Sequence, residues 1–225
     1  MTDERPTLAN IPGLAETSRD FRRKLHEVAT RTGWPADELA AVLWSESKLD
    51  PTNVNPDGGA TGIAQIMPFV AKALGTSTLA IRLMNREDQL DLVERLLRGK
   101  PSWSVPGDTY VRNFIPAAVG KPDDFELARK DSSEPSIVPN VSKGRLFQSN
   151  RSLSRDGETI TVGDVRQKIL KILENAKSKP RLYADESDPI WVRAARSTAV
   201  RVGAVVTVGA GAAYALERVL TRIVP

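Results

Sequence analysis

Apolar residues recur three and four positions apart through the first hundred residues, a spacing that predicts a bundle of short helices and not a sheet. Phe21, Leu25 and Val28 mark one amphipathic helix, opened by Thr17 with Asp20 in the manner of a capping box and ended at Gly33. A second begins near Pro35–Asp37, where proline suits the first turn, and carries Leu39, Val42, Leu43 and Glu46 on one stripe. The run from Asp50 to Gly62 is rich in Pro, Asn, Asp and Gly and reads as a loop. Pro68–Leu74 reads as a short helix closed by Gly75. Asn85 with Asp88 opens another, bearing Leu90, Val93 and Leu97 and ending at Gly99.

Beyond this the pattern changes. Residues 100–116, with Pro101, Pro106 and Gly107, read as irregular, and a second small unit runs from Ala117 to Lys179. Its middle, Asp131 to Arg155, is polar and loop-like; Thr161 and Asp164 then cap a helix with Val165, Ile169, Ile172 and Leu173. Residues 178–188 form a charged linker. From Val202 to Leu216 there is no charge, and Ser197 to Leu216 contains only Arg201. About 20 apolar residues suffice to cross a bilayer. Gly203, Thr207, Gly211 and Ala215 make a small-residue stripe suited to close helix pairing, and Arg193, Arg196, Arg218 and Arg222 flank it. Two readings stay open for 197–216: membrane insertion or contact, or a helix packed on partner subunits by self-association. The expected organisation is therefore mainly α, with an extension over 1–16, a principal domain over 17–115, an accessory helical region over 116–180, and a linker with an apolar helix over 181–225.

Composition narrows the chemistry. Of 225 residues 40% are hydrophobic, enough to bury a core, and 32 Lys+Arg against 28 Asp+Glu leave a net charge of +4. That mild excess suits anionic envelope polymers or membrane surfaces; no basic run interleaved with aromatics points to nucleic acid. With no cysteine, disulfides and thiolate metal sites are excluded, and His26 as the only histidine leaves no material for a multi-histidine zinc centre. Reactivity must rest on carboxylates, hydroxyls and amides. The first residues, MTDERPTLANIPGL, lack an apolar core and do not read as a secretory signal.

Glu46 is the carboxylate in the most unusual place. Its spacing from Leu39, Val42 and Leu43 puts it on the buried stripe, and it lies in a last helical turn, where the dipole disfavours negative charge. Both effects favour the protonated form, as a general acid requires. The bland alternative is a glutamate on a frayed, wet helix end.

Two stretches weigh against that alternative: Trp44-Ser-Glu-Ser-Lys-Leu-Asp-Pro51, and Asn55-Pro-Asp-Gly-Gly-Ala-Thr-Gly-Ile-Ala-Gln-Ile-Met-Pro68. A Glu-Ser pair, a turn ending in Pro, a Gly-Ala-x-Gly turn and an apolar-Gln-apolar-Met-Pro block follow in order. With Arg86-Glu-Asp-Gln-Leu-Asp-Leu-Val-Glu-Arg-Leu-Leu97 they resemble lytic transglycosylases of the soluble (SLT) type, over about Phe21 to Arg98. The resemblance implies a lysozyme-like helical domain acting on peptidoglycan glycan strands without a cofactor or metal. The family's catalytic glutamate falls on Glu46, and Ser47 matches a serine that holds that carboxyl or the substrate. Gly62, Ile63, Ala64 and Gln65 match a Gly-Leu-Met-Gln loop lining the glycan groove, with Ala64 in place of the usual Met. The family's Ala-Tyr-Asn-Ala-Gly stretch is missing. Tyr110, in Gly107-Asp-Thr-Tyr-Val-Arg-Asn-Phe-Ile-Pro116, is the candidate to replace its hydroxyl, the alternative being a packing tyrosine.

What the resemblance implies chemically is one carboxyl with two tasks: protonating the glycosidic oxygen between N-acetylmuramic acid and N-acetylglucosamine, then taking the C6 hydroxyl proton as a 1,6-anhydro ring closes, with the acetamido group assisting. Hydrolysis would need a second group to aim water, and Asp50 and Asp57 are near enough in sequence. The stretches Gly107–Asp124 and Thr159–Asp164 more loosely resemble extensions of phage-encoded transglycosylases. They suggest a phage-encoded enzyme, and the missing signal together with the apolar end suggests delivery within a virion, to act at the host cell wall or periplasm during genome entry. An inactive structural ejection protein and an end-of-infection endolysin are the rivals. Asp156-Gly157 has the feel of a calcium loop but lacks alternating oxygen ligands, and reads as a turn. His26 reads as surface or half-buried. Trp34, Trp44 and Trp103 are candidate sugar platforms, Trp44 being the one expected in the core.

Overall fold

The computed structural model describes residues 8–56, 58–98 and 105–178. The apolar segment 197–216, Asp57, Gly99 and Trp103 lie outside the described residues. The helices α1 (Arg19–Thr32), α2 (Ala36–Ser47), α3 (Pro68–Ala73), α4 (Thr78–Leu83) and α5 (Arg86–Leu97) follow in order, then α6 (Asp108–Phe114). After β1 (Glu126–Arg129) come α7 (Lys143–Asn150), β2 (Thr159–Thr161) and α8 (Val162–Lys177), and the two strands pair antiparallel. The fold is mainly α, as expected. Among the described residues no helix is long and apolar enough to cross a membrane.

Most starts and stops follow the sequence signals. Ser18, not Thr17, caps α1: its hydroxyl accepts from the Phe21 N–H, while the buried Thr17 hydroxyl donates to the Leu14 carbonyl at 2.7 Å. Asn85 caps α5 through the Asp88 N–H, and Thr161 with Asp164 forms the anticipated capping box on α8.

Three elements correct the reading. The stretch read as irregular contains α6, whose first turn is fixed from a distance: Glu38 on α2 accepts from the Gly107 N–H at 3.0 Å and the Thr109 hydroxyl at 2.7 Å. A carboxylate from another helix thus satisfies donors that no local cap would. Within the polar run 131–155, α7 forms because Ser142 caps it and Leu146 and Phe147 face the core. Helix α4, unmarked by any strong periodicity, is capped by Ser77 and held by buried Ile81.

One continuous core gathers Phe21, Leu25 and Val28 of α1, Leu39 to Leu43 of α2, Leu90 and Val93 of α5, and Val165, Ile169 and Leu173 of α8. Leu8, Ile11 and Leu14, ahead of α1, are also fully buried in it, and the Ala9 N–H donates to Asp37 at 2.7 Å. Helix α8 lies against both α2 and α6. Its alignment there is set by Arg166, buried and bonded to Asp108 at 2.9 and 2.7 Å and to the Lys121 carbonyl at 2.9 Å. The backbones approach so closely at this point that a Cβ on Gly107 would sit 2.8 Å from the Arg166 Cβ.

Candidate active site

Glu46 sits in the last turn of α2, one residue before two consecutive left-handed residues, Lys48 (φ 59°) and Leu49 (φ 65°). Neither is glycine, so this turn carries backbone strain that its surroundings must hold. Leu49 is fully buried, and its carbonyl accepts from Arg86 Nε of α5 at 2.7 Å. The abrupt stop fixes where the Glu46 side chain leaves the helix.

The carboxyl is half-buried. Burial pushes it above the ordinary glutamate value, and the Lys168 charge and a hydrogen bond with the Asn113 side chain pull partly back. Asn113 lies on α6 and Lys168 on α8, so three helices meet at this group. Tyr110, one turn before Asn113, is buried and accepts from Lys168 Nζ at 2.6 Å, with the ammonium 4.6 Å from its ring centroid. Burial first, and then the nearby Glu46 charge, push its phenol above the ordinary value. Burial likewise lowers the Lys168 ammonium, with Glu46 opposing and Lys48 assisting. Tyr110 thus lies within electrostatic reach of Glu46, and its hydroxyl accepts from a lysine that the sequence did not single out.

Ser47 is buried, and its hydroxyl lies 3.0 Å from the Ile63 carbonyl and 3.3 Å from that of Leu43. It was expected to hold the carboxyl or the substrate; its described bonds instead tie the Gly62–Gln65 turn to the end of α2. Helix geometry explains this, since adjacent residues point about 100° apart around the axis. Replacing Ser47 with Ala should therefore cost about 1 kcal/mol in urea unfolding and lower activity only a few-fold, through a looser turn. A complete loss of activity in a folded Ser47→Ala protein would assign the hydroxyl a direct role.

The turn itself is braced from beneath as well as by its own bonds. Gly62 (φ 81°) is buried, and Gln89 of α5 reaches beneath it: Gln89 Oε1 accepts from the Ile63 N–H at 2.8 Å, while Nε2 reaches the Ile81 carbonyl at 2.9 Å and the Pro51 carbonyl at 2.8 Å. Ile63 is wholly in the core and Ala64 is nearly so. Of the residues expected along a groove, Ile63 is thus core-facing and Gly62 is buried. Gln65, in a left-handed conformation (φ 48°), turns its amide nitrogen back to the Gly62 carbonyl at 3.0 Å and Asn53 Oδ1 at 3.2 Å. Its expected donors to a sugar are engaged by the loop itself. Exposed apolar neighbours of the turn include Met67 and Val54.

Asp50, considered as a second carboxylate, is exposed and accepts from the Thr52 N–H and hydroxyl, each at 2.8 Å. Its task is the turn. Trp34 is buried, which removes it as a sugar platform, and Trp44 is half-buried against the core with the Lys48 ammonium 3.7 Å over its ring. His26 is half-buried and acts electrostatically on Asp37. Asp156 closes the turn before β2, accepting from Thr159, Glu158 and Ser154, and these bonds hold its carboxyl below the ordinary range. Among the described residues no group of acidic and histidine side chains is arranged to hold a metal. A separate open depression of about 430 Å³ is lined by residues of 131–149, among them Ser132, Ser142 and Arg145.

Sequence reasoning missed Gln89, Asn113 and Lys168. Gln89 carried a signal, a polar residue on the α5 face that also bears Val93; Asn113 and Lys168 carried none, because each joins the site only when its helix packs. Comparison with known families matches residues 25–92 to the transglycosylase SLT domain. No curated protein and no solved structure matches the chain significantly.

Proposed function

We propose that this chain, whose residues 25–92 form a transglycosylase SLT domain of the lysozyme-like superfamily, cleaves the glycan strands of bacterial peptidoglycan with Glu46 as its acid/base. One observation carries the reading: the glutamate at the matched motif is half-buried, its carboxyl is pushed by burial above the ordinary glutamate value, and it adjoins the Gly62–Gln65 turn through Ser47. A group poised in this way can give a proton to the oxygen between N-acetylmuramic acid and N-acetylglucosamine. As the bond breaks, the sugar's acetamido group supports the developing positive charge. The carboxylate so formed takes the proton of the C6 hydroxyl, whose oxygen closes on C1 to give the 1,6-anhydro product. Each proton that Glu46 gives it recovers, and water is not consumed.

The commitment of Asp50 to its own turn favours this route over hydrolysis, since among the described residues it was the carboxylate nearest in sequence for aiming water. Mass spectrometry of muropeptides released from purified sacculi distinguishes the two. Anhydro ends are expected; reducing ends would make the protein a lysozyme, and no release would leave the structural ejection role. Packaging in a phage particle for action during genome delivery is part of the same proposal. Its support is the resemblance of Gly107–Asp124 and Thr159–Asp164 to phage-encoded extensions, and absence of the protein from purified particles would remove it.

A further inference from the structure

Lys168 lies on α8, outside the matched residues 25–92, yet α8 packs on both helices that build the site. Its position is built into the fold, because Arg166, half a turn earlier, is locked to Asp108 at the start of α6. Its ammonium is 2.6 Å from the Tyr110 hydroxyl oxygen. An ammonium offers only donors, so the phenol oxygen is the acceptor and its own proton is left for another partner. Both residues interact electrostatically with Glu46.

We propose that Lys168 is a positioning residue for Glu46, an inference that rests on the acid/base role given above: it fixes the Tyr110 hydroxyl as an acceptor and sets a positive charge within electrostatic reach of the carboxyl. Burial alone disfavours the carboxylate that is left once Glu46 has donated its proton. A cation across the helix interface stabilises the carboxylate left after donation, so the same group can act as acid and then as base. The other groups around the pair are Lys48 at the end of α2, which opposes the Lys168 charge, and the neutral Asn113 on α6. His26 on α1 and Lys177 further along α8 act on Asp37. Lys168 is therefore the cation whose charge favours ionised Glu46.

The test uses the full chain and two readouts. The Glu46 carboxyl is followed by carbon NMR through a pH titration, its signal assigned by its loss in Glu46→Gln, and the pH–rate profile is measured on sacculi. Lys168→Met should move the Glu46 titration to higher pH, carry the alkaline limb of activity with it, and lower kcat at the wild-type optimum about tenfold with KM little changed. Lys168→Gln, which keeps a donor for Tyr110 but no charge, should shift the titration in the same direction. Lys168→Arg should restore it. If Glu46 titrates unchanged in folded Lys168→Met or Lys168→Gln protein, the inference is overturned whatever the activity. If the titration shifts while wild-type protein releases no muropeptide, Lys168 does control Glu46 and the enzymatic reading is what fails.

Discussion

Glu46→Gln protein should release anhydro-muropeptides from sacculi at least roughly a thousandfold more slowly than wild type, while folding normally. The amide keeps the shape of the carboxyl but cannot give and recover a proton. The stability readout runs the other way. Burial raises the folded-state carboxyl above its unfolded value, so the folded state binds the proton more tightly. Wild-type stability is then full below the unfolded value and declines as pH rises from there through the raised folded value. Glutamine has no such penalty. Glu46→Gln should melt at or above the wild-type temperature at neutral pH, and that advantage should vanish in acid. Loss of activity with a gain in neutral-pH stability is the signature of a residue kept for chemistry. Loss of both would mark Glu46 as structural, and retained activity would end the single-carboxyl mechanism.

The second large effect belongs to Gly62. Its φ of 81° lies where a Cβ crowds the backbone, at about 1–2 kcal/mol. A Cβ there would also sit 2.9 Å from Ile81 Cγ2 and closer still to Gln89 Oε1. Moving Gln89 aside would strip the Ile63 N–H of its acceptor and free the Pro51 and Ile81 carbonyls. With a buried unsatisfied donor added to the strain, Gly62→Ala should lose roughly 3–5 kcal/mol in urea unfolding and much of its activity, because the turn next to Glu46 would be displaced. Gln89→Leu tests the same support from the other side, and in a double-mutant cycle the two losses should be far from additive. Additive losses would mean that Gln89 does not brace the turn. The glycine is required here by what lies beneath it as much as by its dihedral.

Local rules carried a large part of this protein. Three- and four-residue spacing marked α1, α2 and α5; Asn85, Thr161 and Asp164 marked two helix starts; Gly33 and Gly75 marked ends. These are short-range effects, written in neighbours along the chain, and so they can be read there. The motif from Trp44 to Pro68 located Glu46 and the turn beside it for the same reason: its parts are contiguous.

Packing decided the rest. Helix α6 begins where a glutamate 69 residues earlier supplies its missing acceptor, and no local pattern announces such a partner. Ser47 and Gln65 were legible as residue types, but which way each hydroxyl or amide points depends on the carbonyls the fold brings near. Lys168 is the clearest instance: in sequence it is one more cation on an amphipathic helix, and only the docking of α8 on α2 and α6, fixed by Arg166 and Asp108, places it beside Tyr110. The sequence thus determined which carboxyl is unusual and which turn adjoins it. The tertiary structure alone decided that carboxyl's electrostatic company, because charges act through space and the chain brings them together only on folding.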